Sequence, residues 1–403
     1  MHEVLYLSGE DVMALDLCVG EVVEAVEEAF RIKGEGSVDM PPKVTMRGSG
    51  GAFVQVMPAW VRSPSGSPRP LRESADGAPE DRLQPGEGQS TAEAGRRSAG
   101  SLGIGPALGV KLVTIMPQNA ERGLPVTNAL IVLDDPLTGL PRAIVDGSHI
   151  TALRTGAGVG VAARHLAAPD VTTVGILGCG VQARAAARAL ATVLPCLTEV
   201  RCHDAVPAAA TAFADELPRL VTADAAGWPM RDADGAGRQA RDAAPGRAKA
   251  DAGAADRPAR EIAVHVCDQP AEVCRGAGVV VTAITMGDDE PPLGPGLLEP
   301  GALAVALDYD AAWSPAAMAE CDLFVTDDVA QTLATKQHGS RLGGIPHIDA
   351  DLAEIVAGRG AGRTGSSQRI FCLNLGVAVT DVLAAELVRE RAVRLGLGRW
   401  LPA

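Results

Sequence analysis

The stretch VTTVGILGCGVQARAAARAL, residues 171–190, decides the fold of this chain. An apolar run of strand character, residues 171–177, leads directly into G-x-G-x-x-A and then into an alanine-rich helical segment. Each small residue has a physical task. Gly178 lets the chain turn tightly, Gly180 lets backbone N–H groups approach a pyrophosphate, and Ala183 lets the helix pack closely on the strand. The positive end of that helix, which begins with Val181 and Gln182, then faces the phosphates. A lone glycine motif is weak, but here the required strand and helix flank it. The next strand, TEVRCHD at 198–204, ends in an acid 26 residues after Gly178. A carboxylate there accepts hydrogen bonds from the adenosine ribose hydroxyls and repels a 2′-phosphate, which favours NAD over NADP. The alternative for Asp204 is an ordinary solvated strand-end acid. Farther on, VVVTAIT at 279–285 is a strand ending in hydroxyl residues at the edge where ligands of such sheets lie. Thr282 and Thr285 either line the cofactor or are only strand and turn residues.

Working outward, residues 199–203, 264–267, 279–284, 303–307 and 323–325 are further short apolar runs separated by helical stretches. Strands buried on both faces are what a parallel sheet with crossover helices requires. Toward the N-terminus the texture differs. Residues 11–14 and 19–30 place apolar side chains at helical spacing with acids on the other face. Residues 52–57, 108–116, 128–133 and 141–145 read as strands, with a turn at 134–139. The segment 369–395 starts like a strand and continues as a long amphipathic helix. The fold class is therefore α/β, a Rossmann dinucleotide-binding domain joined to a mainly antiparallel α+β region.

The chain has 403 residues, with 36 Lys and Arg against 50 Asp and Glu, a net charge of −14 and 47% apolar residues. That is length for two domains. Only five Phe, four Trp and two Tyr are present, so the core is built from Ala, Val, Leu and Ile. A stacking platform for single-stranded nucleic acid is not expected. The acidic excess repels both a phosphate backbone and an anionic membrane, so neither nucleic acid nor membrane is an expected partner and small-molecule chemistry is. No stretch reaches the roughly 20 apolar residues of a membrane span. Residues 1–10 lack the basic-then-apolar pattern of a signal peptide, so a cytoplasmic location is expected. The eight cysteines form no C-x-x-C pair, which points to reduced thiols rather than a disulfide framework, and no metal is expected. Residues 62–106 and 223–261, dense in small and polar residues, cannot bury enough apolar surface to offset ordering entropy and are expected to be disordered surface insertions. Acids and bases balance in each, six against six and seven against seven, so the −14 belongs to the rest of the chain.

Three charged residues stand in apolar surroundings. Lys111 lies in LGVKLVTIM, 108–116, so it either snorkels at an edge or sits in a polar pocket with a partner. A pocket lysine can have its pKa lowered toward neutrality and can carry a proton. Asp310 follows the run PGALAVALDY, 300–309, just past the end of a buried strand. Asp308 and Asp310 flank one residue there, and only one of them is expected to face the crevice. Arg154, in the helix-like segment 147–166, suits either a bidentate grip on a carboxylate or a buried structural ion pair.

Taken together, MPPKV (40–44), VMPAW (56–60), GVK (109–111) followed by PQN (117–119), ITALRT (150–155), GCGVQA (178–183), Asp310 and NLGVAVTD (374–381) resemble the ornithine cyclodeaminase and mu-crystallin family. That family includes alanine dehydrogenases and ketimine reductases. The resemblance implies a Rossmann NAD-binding domain over 151–345 and a discontinuous substrate and dimerisation domain made of 1–150 and 346–403, in a homodimer. It implies Lys111 as the substrate-site lysine and Asp310 as the aspartate that assists proton transfer at the imine carbon. Arg154 and Lys43 would hold the substrate carboxylate, and Asn119 and Gln55 would belong to the pocket. Thr155 would join Gly178, Gly180, Val181, Gln182, Ala183, Asp204, Thr282 and Thr285 at the cofactor. Some positions depart from the family pattern. Lys43 stands where cyclodeaminases usually carry an Arg, and Gln55 where they carry an acid suited to a distal amine, so an ammonium would lose its charge partner. Leu-Asp-Tyr-Asp at 307–310 also replaces the usual Asn-Ala-x-Gly-x-Asp form. The implied activity is NAD-dependent chemistry at the α-carbon of a small L-amino acid through an imine, by cyclodeamination or oxidative deamination. Reduction of a ketimine or imino acid with NAD(P)H, and non-catalytic dinucleotide binding, are the alternatives. The presence of both Lys111 and Asp310 argues against the last.

Overall fold

The computed structural model describes residues 2–62, 105–222, 262–285, 287, 290–338 and 341–403. The expected insertions lie outside the described residues, apart from Arg62, Gly105 and Pro106. In chain order the first part runs β1 (Glu3–Leu7), α1 (Gly9–Ala14), α2 (Val19–Gly34), β2 (Val38–Asp39), β3 (Val44–Arg47), β4 (Phe53–Val61), β5 (Ala107–Ile115), β6 (Thr127–Asp134), β7 (Pro141–Asp146) and α3 (Gly147–Leu166). Then come β8 (Thr173–Leu177), α4 (Val181–Val193), β9 (Glu199–His203), α5 (Pro207–Thr222), β10 (Ala263–Val266), β11 (Val279–Thr282), β12 (Leu303–Ala306), α6 (Pro315–Met318) and β13 (Leu323–Thr326). The chain ends with α7 (Val329–His338), β14 (Ala350–Asp351), α8 (Leu352–Val356), β15 (Ile370–Leu373), α9 (Ala378–Leu395) and β16 (Arg399–Pro402).

The first sheet has the order β16-β1-β7-β6-β5-β4-β2, with β3 also on β4. Its pairs are antiparallel except β1 with β7, which run parallel. Side chains alternate between faces along a strand. In β4 and β5 this buries Gln55, Met57, Ala59 and Val61 together with Ala107, Lys111 and Val113 on one face. Helices α3 and α9 cover that face, and α2 packs across both.

The second sheet is wholly parallel, in the order β10-β9-β8-β11-β12-β15-β13-β14. All four residues of β11, β12 and β15 are buried, as continuous apolar runs require when helices cover both faces. This sheet extends past residue 345, where the sequence reading ends the Rossmann domain, because β14 and β15 belong to it. The reason lies in Ile370–Leu373, which is apolar on both faces and needs the interior of a sheet. Helix α3 contacts both α9 and α4, and one apolar core runs from Leu5 to Ala392 through both sheets. Of the eight free thiols, Cys179, Cys202, Cys274 and Cys372 are buried, while Cys196 is exposed. Among the described residues no helix is long and apolar enough to cross a membrane.

Candidate active site

Strands β8 and β11 are neighbours at the point where the order of the parallel sheet reverses. The crevice beyond the carboxyl ends of strands at such a switch point is where these sheets receive ligands. Gly178 ends β8 with φ +90°, and a Cβ there would lie 2.5 Å from the Ala283 carbonyl oxygen, so a larger residue is excluded on both counts. Around Gly180, the N-cap of α4, no atom of the described residues beyond its chain neighbours lies within 4 Å of a Cβ position. No side chain caps this helix, which leaves its first N–H groups, on Val181, Gln182 and Ala183, for an anion. Among the described residues, Gln182 Oε1 is buried with no hydrogen-bond partner. Asp204 accepts hydrogen bonds from the Cys179 N–H at 2.7 Å and the Val206 N–H at 2.8 Å, which ties the acid to the glycine turn. An uncapped helix start, an open cradle and an unsatisfied buried oxygen fit a dinucleotide.

The other wall of the crevice holds a buried charge cluster. Lys111 in β5 faces Met57 and Ile131 on the neighbouring strands and is wholly buried. Its Nζ donates to Asp381 Oδ1 at 2.7 Å. Arg154 Nε lies 2.9 Å from the same oxygen without hydrogen-bond alignment, and Asp381 Oδ2 has no hydrogen-bond partner among the described residues. Burial and the Arg154 guanidinium push the Lys111 ammonium down to about 7, against the pull of Asp381. Asp381 stands in the first turn of α9, where the helix dipole favours a negative charge. Lys43 Nζ donates to the Leu375 carbonyl at 2.7 Å and lies 5.5 Å from the centre of the Tyr309 ring. Asp327, almost wholly buried, accepts the Gly376 N–H at 2.6 Å through Oδ2, and its Oδ1 has no hydrogen-bond partner among the described residues. Burial pushes its carboxyl up to about 6, against the nearby Lys43 charge. Arg154, Thr155, Asp327, Asn374 and Gly376 line one cleft.

The structure thus brings Lys111 and Arg154 together through Asp381, and Lys43 and Gln55 together around Tyr309. Gln55 also donates to the Thr45 hydroxyl at 3.3 Å. Of the other anticipated residues, Asp310, Asn119, Thr282 and Thr155 bond to partners outside these groups. The Asp310 carboxylate accepts the Leu342 N–H at 2.7 Å and meets Arg341 at 3.5 Å; among the described residues no hydrogen bond or ion pair joins it to Lys111. Asn119 donates to the Pro125 carbonyl at 2.9 Å within its own loop. The buried Thr282 hydroxyl donates to Asp308 Oδ1 at 2.9 Å, while the Ile284 N–H binds Asp308 Oδ2 at 3.0 Å. Thr282 therefore acts through Asp308 to anchor the chain leaving β11. Thr285 is exposed just beyond, and the Thr155 hydroxyl donates to the Thr151 carbonyl at 2.7 Å. Sequence reasoning gave no role to Asp381, Asp327 or Tyr309. The signal that marks Lys111 applies equally to Asp381: a charge inside VAVTDVLAA, 377–385, needs a partner.

The model of the ornithine cyclodeaminase/mu-crystallin family matches residues 99–229 and 242–395. The alanine dehydrogenase of Archaeoglobus fulgidus is 26% identical over 98% of this chain and 97% of its own length. An uncharacterized cyclodeaminase of Sinorhizobium fredii is 31% identical over 73% of this chain and 80% of its own. Among solved structures, the Δ1-pyrroline-2-carboxylate reductase of Thermococcus litoralis, in complex with NADH and L-proline, superposes with a TM-score of 0.71. It is 25% identical, over 98% of this chain and 99% of that one.

Proposed function

This chain belongs to the ornithine cyclodeaminase/mu-crystallin family, and from that premise we propose that it is an NAD-dependent oxidoreductase acting at the α-carbon of a small, neutral L-amino acid. The substrate is open-chain or cyclic, and the partner compound is its imine. One observation carries the reading: Lys111, buried and paired with Asp381 at 2.7 Å, shares a pocket wall with Arg154 and Lys43. Three cations against Asp381 and Asp327 leave the wall short of negative charge, which suits an incoming carboxylate. Arg154 and Lys43 hold that carboxylate and orient the α-carbon. When bound, the nicotinamide takes up or returns the hydride. Lys111, brought near neutrality, exchanges the proton at the substrate nitrogen, and Asp310, at the carboxyl edge of β12, is the second proton-handling group. Gln55 is neutral and bonded to Thr45, so at this position the pocket has an amide where a distal ammonium needs a carboxylate. That favours redox chemistry over cyclodeamination. The eight free thiols support a cytoplasmic location.

The test is the purified chain with NAD and L-alanine, L-proline or L-ornithine, following NADH and ammonia together. NADH from alanine or proline is expected. Ammonia without NADH from ornithine would make it a cyclodeaminase, and no turnover in either direction would make it a binder. Lys111→Met is expected to lower kcat by about 10²–10⁴-fold while NADH still binds.

A further inference from the structure

Tyr309 combines an unusual backbone, a charged neighbour and a place between the two sheets. It leaves the carboxyl edge of β12 with φ +62°, a left-handed conformation that a bulky residue keeps only when its surroundings hold it there. What holds it belongs to the other sheet. Its ring lies beneath the Lys43 ammonium, 5.5 Å from the ring centre, and its phenol lies close enough to the Lys43 and Gln55 side chains for both to pull its pKa down. In the register of β4 and β5, Gln55 faces Val113 and Met57 faces Lys111, so Gln55 and Lys111 are diagonal neighbours on the buried face. Such diagonals span about 7–8 Å. Tyr309 therefore reaches across the crevice to the face that carries Lys111.

Lys43 is the reason this reach has a consequence. Lys111 and Arg154 both pair with Asp381. Lys43 instead donates to a backbone carbonyl, and among the described residues it forms no ion pair with a carboxylate. Its charge is felt by Asp327 but not neutralised. We propose that Tyr309 is a positioning residue of the substrate site, holding the Lys43 ammonium over the Lys111 face and thereby setting the affinity for the substrate carboxylate. Burial pushes the phenol pKa up, but the Lys43 charge and the polar Lys43 and Gln55 side chains outweigh it and bring it below the usual tyrosine range.

The inference rests on the amino-acid chemistry proposed above, and the test separates the two. Tyr309→Phe in the full chain keeps the ring and removes the hydroxyl. With the best substrate among L-alanine, L-proline and L-ornithine, KM is expected to rise about tenfold with kcat within about twofold. NADH affinity, read by fluorescence titration, stays unchanged. In a Lys43→Met background the same substitution is expected to change KM by less than about twofold, because its effect passes through Lys43. If Tyr309→Phe does not fold, Tyr309→Asn, which tolerates the left-handed backbone, carries the same expectation. An unchanged KM, or a full tenfold effect in both backgrounds, overturns the inference and leaves the oxidoreductase reading standing. A wild-type chain that turns over none of the three amino acids overturns that reading and the inference with it.

Discussion

Asp327 is a carboxyl held between one backbone bond and an unsatisfied oxygen. Its carboxyl titrates near 3.9 in an unfolded chain and at about 6 in the fold, because burial disfavours the anion. Between those pH values the native state holds a proton that the unfolded chain has released, so stability falls as pH rises through the window. A shift of this size corresponds to about 3 kcal/mol. Asp327→Asn keeps an oxygen for the Gly376 N–H and removes the titration. Relative to wild type it is expected to gain about 3 kcal/mol of unfolding free energy between pH 4 and 7, measured by urea denaturation. Parallel curves for the two proteins would mean that the carboxyl titrates normally. Residues of this kind differ in legibility. Lys111 and Arg154 stand out because a charge among apolar neighbours is conspicuous in one dimension. That both meet Asp381 is not visible there, since Lys111 and its partner are 270 positions apart.

The turn between β15 and α9 delivers three groups to the cleft: Asn374, the Leu375 carbonyl and the Gly376 N–H. Gly376 has φ +79°, and a Cβ on it would collide with the Arg154 guanidinium. Gly376→Ala is expected to displace Arg154 and raise KM for the amino acid by about tenfold or more, with NADH affinity retained. Steady-state kinetics with a parallel NADH titration checks this, and a parallel loss of both affinities would point to general loosening instead. Elements with a strong period were legible: the strands of the parallel sheet other than β14, β4 to β7, and helices α2, α4 and α9 all lie where apolar spacing anticipates them. Strands β3 and β16 escape because all four residues of each are exposed, so neither shows alternation. Strand β14, with two residues, is too short to carry a pattern.

At the scale of the molecule, the outer face of the first sheet is the clearest unpartnered apolar surface among the described residues. Register places Val44 opposite Val56, Val56 opposite Leu112 and Leu112 opposite Leu130, an apolar row across β3, β4, β5 and β6. Val44, Leu112 and Leu130 are 60%, 42% and 45% exposed, which a monomer rarely leaves as a continuous patch. If a second copy of the chain covers this face, Leu112→Glu with Leu130→Glu halves the mass measured by light scattering, and an unchanged mass places any such contact elsewhere. The sequence by itself determined the α/β class, the glycine turn with its acid partner, and the cations that mark the site. Those are local properties: a period of two or 3.6, a residue too small to be replaced, a charge that must find company. Tertiary structure alone decided which charges meet, that Asp310 bonds to the 341–342 segment rather than Lys111, that β15 completes the parallel sheet, and that Tyr309 spans to Lys43. Such pairings depend on where distant segments pack, and no local spacing in the chain encodes that.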